Sequence, residues 1–313
     1  MAIGRVSTYQ LNKSFTGQIG NTQAKFNKLS QQIQTGKKVS SITDDAAAAR
    51  GIIKANAQLG DIDTYVANLK MADNELTQTD NSLKSVSDKL QEAYDLAMTV
   101  ANGTTGKEQM EAYRQQLDSI IESVTALANT NYGDQYLFSG TRTTTPAYTK
   151  TDDGLTWNGN DEGRYALIGE DKTEQINFIG KDMFGSAKVT TDPATGAKTV
   201  TGEGAFKALY ELKVALEKDD VDTNQARETL DGINEGIVKV TAARTKTGAL
   251  GSQFEDLQTT YTNDTLNIKQ LRSNLEDVDL PSAISDWYSS YQALQASYQM
   301  FSQTMNVSLL NYI

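Results

Sequence analysis

The chain has no cysteine and no histidine among its 313 residues. Without cysteine, disulfides and thiolate metal sites are excluded. Without histidine, Ser-His-Asp catalysis, Cys-His catalysis and imidazole-ligated zinc are excluded too. There are only three prolines, which permits long uninterrupted helices. Positive charge is in short supply: 29 Lys and Arg stand against 40 Asp and Glu, a net charge of −11. That argues against a binder of nucleic-acid phosphates, which needs a basic face. No stretch approaches the roughly 20 apolar residues of a membrane span. The opening residues, Met1 to Thr8, lack the apolar run of a secretory signal. The expectation is a soluble chain without a general secretory signal, with no cofactor, no metal site, no nucleic-acid partner and no membrane insertion. Its length suffices for two or three domains and a sizeable core.

What is present is helical periodicity, strongest at the two ends. Ile284, Trp287, Tyr291, Leu294, Tyr298, Phe301 and Met305 recur at alternating steps of three and four. Such spacing puts all seven on one stripe of a helix, with Ser, Gln, Asp and Ala between them. A strict seven-residue repeat is the seam of a coiled coil and asks for a partner helix. Phe15, Ile19, Thr22, Phe26, Leu29 and Ile33 keep the same rhythm near the other terminus. The two termini are therefore expected to pair. The alternative is an ordinary amphipathic helix on a globular core, which would not need the period at both ends.

The first helix is expected over 5–34, closed by Thr35-Gly36 with Gly36 in the left-handed cap conformation. Thr43 or Ser41 can cap the next helix, with Asp44 and Asp45 in its first turn. That structural role outweighs a catalytic reading of the acidic pair. A long helix then runs to about Val100. Ile62, Leu69, Leu76, Leu83, Leu90 and Ala97 fill every seventh position, and Val66, Asp73, Asp80, Ser87 and Tyr94 fill the second column. This seam is poorly apolar, so polar contacts are expected along part of it. Asn102 to Gly106 reads as a turn, and Met110, Tyr113, Leu117, Ile120, Val124 and Leu127 mark a returning helix. The product is an antiparallel helical hairpin.

After Asn129 the period changes. Leu155 to Asn160, Arg164 to Gly169 and Gln175 to Gly180 are short β-like runs between turn signals. Lys188–Thr191 and Lys198–Thr201 flank Asp192-Pro193-Ala194-Thr195-Gly196, a hairpin loop. The carboxylates Asp152, Asp153, Asp161 and Glu162 could suggest a glycosidase, but they lie in turn-like segments where Asp serves local hydrogen bonding. Helix resumes near Ala205 with Phe206, Leu209, Tyr210 and Leu216. A last long helix spans 221–278, and Gly248 and Gly251 mark a kink or close helix approach. Asp279-Leu280-Pro281 opens the terminal helix. The fold class is mainly α: long antiparallel helical hairpins and a terminal coiled coil, with a small β-rich insert. The domains expected are 1–44 with 279–313, 45–135 with 204–278, and the insert 136–203.

Several segments carry a family resemblance. Leu29-Ser30-Gln31-Gln32-Ile33-Gln34-Thr35-Gly36-Lys37-Lys38-Val39, followed by Asp44-Asp45-Ala46-Ala47, resembles the N-terminal signature of the flagellin superfamily. Ala101-Asn102-Gly103-Thr104 resembles its turn between hairpin helices, and Leu275 to Leu310 its C-terminal region. Ile42-Thr43 departs from the Pro-Ser or Ala-Ala of many relatives. Arg5 to Gln10, Tyr136 to Pro146 and the single modest insert resemble the members that join hook to filament. The resemblance implies export through the flagellar type III apparatus, a helical assembly of copies of this chain, a hook-side hook-associated protein and distal flagellin as neighbours. It also implies an export chaperone over the C-terminal end, with Trp287, Leu294 and Phe301 as anchors. The terminal coiled coil would be the inner, channel-lining layer. A filament-forming flagellin with a reduced outer region is the alternative; an enzyme and a cytosolic coiled-coil scaffold are weaker rivals.

Overall fold

The computed structural model describes the backbone of residues 3–102, 107–151, 153–217 and 223–310, and side chains except those of 3–9, 11, 107, 108 and 304–310. Gly103 to Gly106, Asp152 and the side chain of Met305 therefore lie outside the described residues. The elements are α1 (Ile3–Thr35), α2 (Ala46–Ala101), α3 (Lys107–Ala128), β1 (Asn131–Tyr132), β2 (Gln135–Tyr136), β3 (Tyr148–Thr151), β4 (Gly154–Trp157), β5 (Tyr165–Gly169), β6 (Lys172–Gln175), α4 (Gly180–Phe184), β7 (Ser186–Thr191), β8 (Lys198–Glu203), α5 (Gly204–Glu217), α6 (Thr223–Glu276) and α7 (Leu280–Leu310). The fold is mainly α with a small antiparallel insert. Two compact units are present: Met1–Asp61 with Asn263–Ile313, and Ile62–Thr262.

Within the larger unit the core lies where α2, α3, α5 and α6 meet. Leu83, Leu90 and Val86 of α2, Leu117 and Val124 of α3, Phe206 and Leu209 of α5 and Ile233 and Val240 of α6 are all buried in one cluster. The Leu69–Leu76–Leu83–Leu90–Ala97 column faces inward throughout. Its second column differs from the sequence expectation. Ala72, Thr79, Val86, Ala93 and Val100 are buried, whereas Asp73, Asp80, Ser87 and Tyr94 are only partly so. Both columns make a three-four stripe with the leucines, and the less polar one is buried because it holds no carboxylate to desolvate. Asp80 still makes the kind of polar contact expected, receiving Arg244 Nε at 3.0 Å.

Close approach is the reason for two glycines that sequence reading passed over. A Cβ on Gly236 would stand 2.6 Å from Ala205 Cβ, and one on Gly232 2.8 Å from Ala208 Cβ. These glycines let α6 lie against α5. Gly248 and Gly251 sit in unbroken helix; a Cβ at Gly248 would meet nothing within 4 Å, and at Gly251 only the Asp73 carboxylate at 3.8 Å.

The insert consists of a four-stranded antiparallel sheet in the order β3-β4-β7-β8 and two separate hairpins, β1-β2 and β5-β6. The β7–β8 loop closes as its residues suggest: the Asp192 carboxylate accepts Ala194 N at 2.8 Å and Thr195 Oγ1 at 2.8 Å. The run expected as strand over Gln175 to Gly180 ends at Gln175, and Gly180 instead starts α4. Phe184 of α4 turns inward against Phe138, ring centroids 5.2 Å apart and nearly perpendicular.

Candidate assembly interface

In the unit formed by the chain's two ends, α1 and α7 are antiparallel partners. Their junction is built from backbone. α1 stops at Gly36, whose φ of +71° favours glycine. The Gly36 carbonyl accepts Val278 N at 2.9 Å and the Glu276 carbonyl accepts Lys38 N at 2.7 Å. Lys38 Nζ reaches the Asn274 carbonyl at 2.5 Å, and Lys37 pairs with the Glu276 carboxylate. Asp279 then caps α7: its carbonyl takes Ala283 N at 2.9 Å and its carboxylate takes Ser282 N at 3.4 Å.

The 36–45 loop assigns its acidic pair differently from the sequence expectation. Asp45 itself is the cap of α2, accepting Ala47 N at 2.9 Å and Ala48 N at 3.0 Å, so neither Ser41 nor Thr43 is. Asp44 closes the loop instead. It takes Lys28 Nζ at 3.0 Å and the Ser40 and Ser41 amides at 3.2 and 3.0 Å. The Lys28 ammonium first, then those amides, hold the Asp44 carboxyl down to about 2, so it stays ionised through all ordinary pH.

Along the helices, Phe15, Ile19, Thr22, Phe26 and Ile33 are partly buried and Leu29 is buried, all on the face of α1 expected from its period. Phe26 is the centre of an aromatic group, 5.4 Å from the Trp287 ring and 6.0 Å from that of Tyr291. Trp287 and Tyr291 stack with 6° between their planes. Trp287 Nε1 donates to Ser30 Oγ at 2.8 Å, and the Tyr298 hydroxyl donates to Gln23 Oε1 at 3.4 Å.

On α7 the buried side is shifted from the apolar stripe. Trp287, Leu294 and Phe301 form a column one heptad apart that is partly or fully buried. The column beside it that turns inward is Ala283, Ser290 and Ser297; the first two are 5% exposed. Ile284, Tyr291 and Tyr298 stand on the other flank at 52%, 39% and 51% exposure. Tyr288 and Met300 are exposed too. Residues three and four before each knob both make a regular stripe, so apolarity alone selects the wrong flank for the internal contact. The signal for the right one was the recurrence of small residues at sevens. α7 thus buries one flank of the shared column against α1, while the other flank, though touched by Phe26 and Gln23, stays largely exposed.

In the insert Glu162 accepts Thr141 Oγ1 at 2.8 Å and Asn160 Nδ2 at 3.1 Å, and Asp161 faces Lys181 at 3.9 Å, so both tie loops of the insert together. Among the described residues no cluster of acidic groups could hold a metal, and no helix is long and apolar enough to cross a membrane.

A pair of long terminal helices, a helical bundle and a small inserted sheet are the parts of a recognisable class. Residues 6–143 match the bacterial flagellin N-terminal helical region, and residues 230–313 match the bacterial flagellin C-terminal helical region. The chain belongs to the flagellin family. It is 26% identical to flagellar hook-associated protein 3 of Salmonella typhimurium over 97% of this chain and 98% of that protein. It is 26% identical to flagellin of Listeria innocua over 91% of this chain and 88% of that one. The fold matches the crystal structure of the flagellar junction protein of Legionella pneumophila with a TM-score of 0.56, covering 73% of this chain and all of that one, at 14% identity.

Proposed function

We propose that the chain is a structural protein of the bacterial flagellum that forms the junction layer between hook and filament. The observation that carries this is its end-to-end correspondence with a hook-associated protein 3, insert included. The open flank of α7 gives the reading a physical mechanism. Ile284, Tyr291 and Tyr298 are large and remain substantially exposed although Tyr291 touches Phe26 and Tyr298 reaches Gln23, and exposed apolar surface on a helix marks an interaction site. Copies packed side by side in a tube would cover it. Residues 1–44 with 279–313 form the inner, channel-lining layer, 45–135 with 204–278 the shell around it, and 136–203 the outward insert. Head-to-tail contacts between copies generate an open helical array. A hook-associated protein lies on the hook side and flagellin on the distal side. The test is electron microscopy of a deletion strain. Hooks without filaments, with flagellin lost to the medium, are the expected result; filaments of normal length would overturn it.

A filament-forming flagellin is the second reading, favoured by the match to Listeria flagellin at equal identity. Labelled copies of this chain separate the two: a short band at the filament base supports a junction, labelling along the whole filament supports a flagellin.

That open flank of α7, and the Trp287–Leu294–Phe301 column beside it, need shielding before assembly. We infer that the chain leaves the cell through the flagellar type III apparatus and that an export chaperone covers its C-terminal helix, with Trp287, Leu294 and Phe301 as anchors in a helical groove. Full-length chain used as bait should recover one small helical protein from the cytosol of its own organism. Replacing the three anchors by serine should reduce recovery at least tenfold; undiminished recovery would remove the anchor assignment.

A further inference from the structure

The β5–β6 hairpin lies on the two long helices beyond the main core, in a smaller cluster of its own. The main cluster of the larger unit begins on α2 at Leu83, where α3 and α5 supply a third layer. Below it, α2 presents Glu75 and Thr79 to the interior among its leucines. Two helices with so polar a seam are marginal without a third element. The hairpin is that element. Its strand β5 alternates: Ala166 and Ile168 are buried against Leu69 and Leu76 of α2 and Phe254 of α6, while Tyr165 and Leu167 face outward at 64% and 41% exposure.

Polar ties reach the same hairpin from both helices. A register shift between Leu167 and Gly169 interrupts the ladder there. Such a bulge leaves backbone groups for other partners. Asn68 Nδ2 of α2 donates to the Leu167 carbonyl at 2.8 Å, and the Tyr261 hydroxyl of α6 donates to the Ile168 carbonyl at 2.5 Å. Gly169 is required beside this contact, since a Cβ there would stand 2.9 Å from the Tyr261 hydroxyl. The Tyr261 ring also meets Tyr65 of α2, centroids 5.8 Å apart. At the foot of the hairpin Arg164 forms a buried ion pair with Glu75.

We infer that β5–β6 is a clasp, a device that fixes α2 against α6 over 62–80 and 247–262 and stiffens this otherwise weak stretch. The insert then has two separate jobs: the four-stranded sheet belongs to the main core through α5, and the hairpin braces the helix pair. In an assembled junction, on the reading proposed above, the clasp keeps the helix pair from slipping when the filament is driven against a viscous load.

Hydrogen–deuterium exchange of the full-length chain tests it, comparing wild type with Asn68→Ala/Tyr261→Phe and with Ile168→Ala. The double variant removes two tying hydrogen bonds and no core atom, so it folds even if Ile168→Ala does not. Two such bonds predict exchange roughly tenfold faster or more over 62–80 and 247–262, with residues 83–101 and 226–243 unchanged. Unchanged exchange in the clasped stretch overturns the proposal, and so does a uniform rise across the unit, which would mean general stabilisation. The measurement needs no assembly and stands apart from the junction reading. Cells carrying the double variant should shed filaments in viscous medium at shear that wild type survives; equal retention overturns the mechanical half.

Discussion

Leu294→Asp is expected to abolish incorporation into the flagellum while leaving the 62–262 unit folded. Leu294 is 7% exposed at the middle of the α1–α7 contact, one heptad from Trp287 and from Phe301. A carboxylate there has no cationic partner on the facing stripe of Phe26, Leu29 and Ile19, and burying it unpaired costs several kcal/mol. The column it occupies borders both the buried flank and the open one, so both the internal pairing and the proposed contact between copies fail together. Calorimetry should show the main transition within about 2 °C of wild type, because independent sites far apart add little to each other. Swimming assays should show no motility. The volume-conserving Leu294→Met should behave as wild type. Normal motility of the aspartate variant would refute the role of this column.

Phe206→Ala should have the opposite profile, a large loss of stability in the 62–262 unit. Phe206 of α5 is fully buried. Its ring centroid lies 4.9 Å from Tyr148 of β3 and 6.2 Å from Phe184 of α4. It therefore joins the sheet, the short helix and the helical bundle in one contact. Tyr148 is itself fixed by its hydroxyl, which donates to the Gly185 carbonyl at 2.9 Å, and burial pushes that hydroxyl well above the usual phenol range. The surrounding rings are thus poorly placed to close a cavity. Loss of about 3–5 kcal/mol is expected from removing a buried phenylalanine, read as a shift in the denaturant midpoint at constant slope. A loss below about 1 kcal/mol would show that the aromatic group collapses around the gap.

The helices were legible because their repeats are long. Six or seven positions from Phe15 to Ile33 and from Ile284 to Met305 leave little freedom in the choice of face. Which flank of a column faces inward was less legible, and for one physical reason in two places. In α2 and in α7 a seven-residue column can be completed by residues on either side. In α2 sequence reading took the polar column of Asp73, Asp80 and Ser87, and in α7 the large apolar one, whereas the fold buried Ala72, Thr79 and Ala93 in α2 and Ala283 and Ser290 in α7. Small residues contribute little burial each, but they set the distance between backbones. The capping of α2 was ambiguous for a related reason, since Ser41, Thr43, Asp44 and Asp45 are all competent caps and only the loop geometry chooses Asp45. The clasp was invisible because its inward residues, Ala166 and Ile168, are too few for a period, and its ties join residues about a hundred positions apart.

The shared column of α7 has a consequence for how such a chain can vary over generations. Positions 283, 290 and 297 lie on the flank turned inward, so a change there is expected to be repaired by a change in the first thirty-odd residues. On the packing proposed above, positions 284, 291 and 298 answer mainly to neighbouring copies, with Tyr291 and Tyr298 also touching α1 at Phe26 and Gln23. Trp287, Leu294 and Phe301 answer to both at once. Neighbouring letters of one helix, Ser290 and Tyr291, are therefore under different constraints, and a lineage can exchange its outer contacts largely by rewriting one flank.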